Sequence, residues 1–126
     1  MLNKNNVYAV VGATKNKQKY GYKVLKNLKK SGYKMIPINL NEKEILSLKT
    51  YGNILDVDRK IDMVIFVVPS IVTEKILQDV KKLKINKVWM QPGSENDKAI
   101  QYCKNNNIQC IHNACVIVKD INNKNL

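Results

Sequence analysis

Val7-Tyr8-Ala9-Val10-Val11-Gly12-Ala13-Thr14 decides how the rest of this chain reads. Five nearly unbroken apolar residues are the pattern of a parallel strand covered on both faces. The strand then breaks at a glycine and runs into a lysine-rich, helix-patterned stretch. Such a strand–turn–helix junction is where an α/β sheet receives a phosphorylated nucleotide. N–H groups at a helix start attract anions, and glycine lets a ligand approach the main chain.

Outward from this junction, strand and helix patterns alternate. After Lys19, Gly21, Val24, Leu25 and Leu28 fall on one helical face with lysines opposite, and Ser31-Gly32 closes the helix. Tyr33–Ile38 reads as a second strand ending at Asn39, and Asp62–Val68 as a third stopped by Pro69. Val72, Ile76, Val80 and Leu83 form the next helical stripe. Ile85–Met90 is a fourth strand ending at Gln91-Pro92-Gly93, and Ile108–Ile111 a fifth. Ser94, three residues before Asp97, has the spacing of a helix cap. Between the second and third strands, Glu42–Leu48 suits a short helix. The chain then turns near Gly52-Asn53 and loops over the sheet edge. The alternation predicts an α/β fold: one doubly wound, five-stranded parallel sheet, Rossmann-like, in a single domain with a core over about 7–118. Ligands in such sheets bind beyond the carboxyl ends of the strands. That selects Gly12–Thr14, Asn39, Val68–Ser70 and Gln91–Gly93.

Bulk properties narrow the function. With 126 residues, 44% of them hydrophobic, the chain suffices for one ordinary core. No apolar run approaches the roughly 20 residues of a membrane span, and Met1–Asn6 lacks the apolar centre of a signal peptide. A cytoplasmic setting is expected. The formal charge of +12 invites nucleic acid as a partner, but Arg59 is the only arginine among 22 basic residues. Arginine supplies the bidentate contacts of a sequence reader, so its scarcity argues against that partner. Cys103, Cys110 and Cys115 have neither the number of a disulfide framework nor zinc-site spacing.

Gly12-Ala13-Thr14 is not the G-x-G-x-x-G fingerprint, and Asn39 stands where an acidic residue would mark the ribose of NAD. Both features point away from NAD. Lys15, Lys17 and Lys19 could meet a diphosphate or ribose phosphate as point charges, and Tyr20 could line the pocket. Val68-Pro69 would offer an apolar wall to an adenine ring. Gln91 offers one acceptor and two donors. His112 and Cys115 are close in sequence, but neighbours on an extended chain point apart, which argues against a Cys–His pair. A phosphoacceptor domain would need acidic residues where Gly12-Ala13-Thr14 stands.

Taken together, these stretches resemble the small stand-alone CoA-binding proteins. Their Rossmann-like domain is similar to the CoA-binding domain of succinyl-CoA synthetase α-subunits. The matching segments are Ala9–Thr14, Tyr20–Leu25, Gly32–Asn39, Asp62–Pro69, Val88–Gly93 and Cys115. The resemblance implies CoA or acyl-CoA as ligand, with Gly12, Ala13 and Thr14 around the diphosphate; the residue reading adds Lys17 and Tyr20 to the expected contacts. Asn39, Val68 and Pro69 would border the adenosine, and Gln91, Pro92, Gly93 and Cys115 the rest of the pocket. Two departures stand out. The family's Asn-Pro-Lys is Asn39-Leu40-Asn41 here, which leaves open the residue that meets the CoA 3′-phosphate. A frequent family glycine falls at Ser47. The ligase with a similar domain carries its phosphorylated histidine elsewhere, so His112 inherits no catalytic role. The expectation is a non-enzymatic CoA module, working as a homodimer or with a partner enzyme. An NADP-dependent enzyme and an interaction subunit with a vestigial nucleotide site are the alternatives. Gly12→Asp is expected to weaken CoA binding by setting bulk and charge against the diphosphate.

Overall fold

The computed structural model describes residues 2–117. Val118, the expected end of the core, lies outside them. Five parallel strands form the main sheet: β1 (Val7–Val11), β2 (Lys34–Ile38), β5 (Met63–Phe66), β6 (Lys87–Met90) and β7 (Gln109–Ile111). Their order is β2-β1-β5-β6-β7. Helices α1 (Tyr20–Lys30), α2 (Ser70–Lys82) and α3 (Asp97–Asn105) make the crossovers. The winding runs from β1 outward to β2, then returns to β5 and proceeds the other way. The strand order therefore reverses between β1 and β5, and a crevice opens at their carboxyl ends.

The alternation of side chains along the strands builds two cores. Tyr8 and Val10 of β1, Met63 and Ile65 of β5 and Trp89 of β6 face α1, which contributes Val24, Leu25 and Leu28. Val7, Ala9, Val11, Val64, Phe66, Val88 and Met90 face the other way. They pack with Leu77 and Val80 of α2 and Ala99 and Cys103 of α3. The sheet is thus doubly wound as expected, with α1 on one face and α2 and α3 on the other.

Two local expectations are corrected. Residues 42–48 are not a helix: β3 (Glu44–Ile45) and β4 (Leu48–Lys49) form an antiparallel hairpin. Its central residues Leu46 and Ser47 have φ of 51° and 63°. This left-handed region explains why a glycine would suit position 47. Burial of Ile45 among the α1-side residues, with Leu46 and Leu48 packed against them, outweighs the helix propensity of the segment. Ser94 does not cap α3. Asn96 does, its side chain accepting from Ala99 N at 2.8 Å, while Ser94 Oγ accepts from Val68 N at 3.0 Å. The loop over the sheet edge is present: Tyr51 pairs with Ile38, and Asn39 N donates to Tyr51 O at 2.9 Å.

Candidate functional site

The glycine after β1 is fixed by sterics before any ligand is considered. Gly12 has φ +100°, and a Cβ there would run into the Val67 carbonyl oxygen. A Cβ at Gly21, in the first turn of α1, would run into the carbonyl oxygen of Gly12 itself. The two glycines let β1, the end of β5 and the start of α1 approach main chain to main chain. Gly12→Asp would therefore break this packing before it could repel a diphosphate, which corrects the purpose expected for that substitution.

This close approach leaves the turn rich in donors. Among the described residues, the N–H groups of Ala13 and Thr14 and those of Tyr20 and Gly21 at the helix start donate to no protein acceptor. Helix α1 has no side-chain cap and no acidic residue in its first turn. Helix α3 is the contrast, since it satisfies its own start with Asn96. An uncapped helix end with free N–H groups favours an anion through both hydrogen bonding and the helix dipole.

Above the turn lies a cleft of about 760 Å³, within the usual range for small-molecule sites. Gly12, Ala13, Thr14, Tyr20, Asn39, Val68 and Pro69 all line it. Asn39 is tied down at both ends of its amide. Nδ2 donates to Ala13 O at 2.8 Å, and Oδ1 accepts from Asn41 N at 2.8 Å. It thereby staples the end of β2 to the turn after β1. Pro69 is the N-cap of α2, so Val72 and Ile76, one helical turn apart, extend the apolar wall begun by Val68.

The remaining expected residues fall elsewhere. Lys17 lines a separate groove beside α1 with Tyr22, Lys23 and Lys26. Pro92 and Gly93 are exposed and do not line the cleft. Gln91 is only 1% exposed. Its Oε1 accepts from Val116 N at 2.7 Å, and its Nε2 reaches Cys115 Sγ at 3.5 Å. Gln91 therefore binds the segment after β7, which Trp89 also holds by donating Nε1–H to Ala114 O at 2.8 Å. Cys115 touches the rim of the cleft through Tyr20, with hydroxyl and sulfur 2.5 Å apart. Burial, and then this sulfur contact, push the Tyr20 hydroxyl up to about 12. His112 lines a different groove with Lys87 and Trp89.

Several lining residues were not singled out as ligand contacts from the sequence. Leu40, 83% exposed, stands at the cleft beside Asn41 and Gly52. Val72 and Ile76 carried a signal in their helical stripe, read there as core. Of the three lysines expected near the phosphates, Lys19 lines the cleft, as a cation at the N-cap of α1.

Comparison with known proteins agrees with this fold. Over 74 residues, 59% of the chain, it is 43% identical to an ADP-forming acetate–CoA ligase of Methanocaldococcus jannaschii. Over 63 residues, 49% of the chain, it is 40% identical to the α-subunit of ADP-forming acetate–CoA ligase II of Pyrococcus furiosus. These matches span only 10% and 14% of the two ligases. A conserved hypothetical protein from Pyrococcus furiosus has a solved structure that superposes with a TM-score of 0.85 at 30% identity. That match covers 90% of this chain and 97% of the other. The CoA binding domain family matches residues 6–120, nearly the whole length, and the chain belongs to that family.

Proposed function

We propose that this protein binds CoA or an acyl-CoA in the cleft at the β1/β5 crevice, without itself catalysing a reaction. The observation that carries this reading is the set of free N–H groups at Ala13, Thr14 and the uncapped start of α1, facing a cleft with an apolar wall. The diphosphate rests on the turn, held by main-chain donors, with Lys19 adding charge. The adenine lies against Leu40 and the Val68–Pro69 side. The pantetheine arm runs along the strand ends toward Tyr20 and Cys115. Neighbouring strands lie about 4.8 Å apart, so the ends of β2 and β6, three strand spacings from each other, are within reach of one extended ligand. The similarity to segments of acetate–CoA ligases supports a role beside a partner enzyme that makes or consumes the thioester.

Calorimetric titration of the reduced protein with CoA and with NADPH tests the reading. Micromolar CoA binding that NADPH does not compete away is expected. Tighter binding of NADPH would favour an NADP-dependent enzyme, and no binding of either would favour an interaction subunit. Acetyl-CoA recovered intact after prolonged incubation is the outcome expected of a non-enzymatic module. Its hydrolysis would overturn that part.

A further inference from the structure

Two loops frame the mouth of the cleft, one after β1 and one after β2. Thr14 lines the cleft from the first loop and Asn41 from the second. The next residue on each side is charged, and the two meet: Lys15 Nζ lies 2.8 Å from Glu42 Oε2. This ion pair therefore joins the two loops next to the cleft, between the turn that would hold a diphosphate and the strand end that would border the ribose. A sugar attached to a diphosphate on Gly12–Thr14 lies between those two points.

The pair is built to be exchanged. Lys15 keeps 64% of its side chain exposed and Glu42 29%, so neither is locked by packing. Exposed lysine–carboxylate pairs contribute little, and a phosphate monoester near pH 7 carries more charge than a carboxylate. Asn41 offers no charge of its own at this edge, and Lys19 lines the cleft from the start of α1. While paired, Lys15 holds its proton more firmly than a free lysine, through its hydrogen bond to Glu42 and their mutual attraction.

Resting on the CoA reading, we propose that Lys15 leaves Glu42 to bind the ribose 3′-phosphate, and that this exchange sets the preference for CoA over dephospho-CoA. Glu42 acts as a competitor that keeps Lys15 at the mouth and tempers its attraction for the ligand.

The test is calorimetric titration of the wild type, Lys15→Met and Glu42→Gln with CoA and dephospho-CoA at fixed salt. The wild type is expected to prefer CoA by about three- to tenfold, the worth of one charge-assisted contact at a wet site. Lys15→Met should bring that ratio close to one. Glu42→Gln should raise it about two- to fivefold, the worth of an exposed ion pair removed from competition. Lys19→Met should lower affinity for both ligands alike. A Lys15→Met ratio equal to that of the wild type, or an unchanged ratio in Glu42→Gln, would overturn the proposal. Wild-type protein that binds both ligands equally would also overturn it while leaving the CoA reading intact. Binding of neither ligand would overturn both.

Discussion

The turns after β1 and β6 carry glycines with almost the same backbone angle, φ +100° at Gly12 and +94° at Gly93, in opposite surroundings. Gly12 is wedged between the end of β5 and the start of α1, with no room for a Cβ. Among the described residues other than its two chain neighbours, Gly93 has no heavy atom within 4 Å of the place a Cβ would take. A glycine at the end of a parallel strand is thus not itself the mark of a ligand site. The first turn packs main chain against main chain, and its outward N–H groups are left for a ligand. The second is an open corner, and the side chain before it, Gln91, turns inward to hold the chain after β7. One turn offers its backbone to a ligand, whereas the other spends its polar side chain on the fold.

The largest effect expected from this contrast is at Gly12. Gly12→Ala should destabilise by about 3 kcal/mol or more, since it adds both a backbone clash and an unfavourable φ. Thermal or urea denaturation would show it as a greatly lowered midpoint or as a failure to fold. A midpoint near that of the wild type would mean that Val67 moves aside, and the contrast would fail.

Gln91→Leu comes next. It removes the acceptor of the Val116 N–H in a buried place and the partner of Cys115, for an expected loss of about 1–3 kcal/mol. The same denaturation experiment measures it, and an added readout separates fold from ligand. CoA affinity in the folded fraction should fall less than stability does. A large loss of affinity with stability unchanged would return Gln91 to the ligand site.

Gly93→Ala should cost about 1–2 kcal/mol, the backbone term alone, because the space around it is open. The difference between Gly12→Ala and Gly93→Ala then isolates the steric contribution of Val67 and Val68 at the end of β5.

The same contrast explains what was legible in the sequence. The strands β1, β2, β5 and β6 and the stripe of α1 follow from local periodicity, because each is buried on the faces its pattern names. The α2 stripe was misplaced: Thr73, Leu77 and Val80 form its buried face, while Val72 and Ile76 line the cleft and Leu83 is exposed. The turn Gly12–Thr14 was legible since its glycine and the basic helix after it are adjacent in the chain. Residues 42–48 misled, because Ile45 and Leu48 reach the α1-side core only through a hairpin whose Leu46-Ser47 centre lacks the usual Asn-Gly. Gln91 read as a ligand group because its real partners, Val116 and Cys115, lie some 25 positions away at the other side of a crossover. The Lys15–Glu42 pair was equally hidden, joining two loops that only the β1–β2 pairing brings together.

The smallest expected effect lies where the two regions touch, at Tyr20 and Cys115. The Tyr20 hydroxyl is raised from an ordinary 10.0 to about 12, first by burial and then by the sulfur contact. The folded protein therefore holds this proton more tightly than the unfolded chain does. The corresponding stability is fully present below pH 10 and is lost as pH rises from 10 through about 12. Comparison with Tyr20→Phe isolates this contribution. Wild-type stability should fall more steeply than that of Tyr20→Phe between pH 10 and 12, by a modest margin because Tyr20 is 44% exposed and solvent screens the contact. The Cys115 thiol of the variant should also react faster with a disulfide reagent at pH 8, having lost the hydroxyl that covers it. Parallel stability curves and equal thiol reactivity would mean that the hydroxyl–sulfur contact does not couple the cleft rim to the segment after β7. The two turns would then be independent parts of the sheet edge.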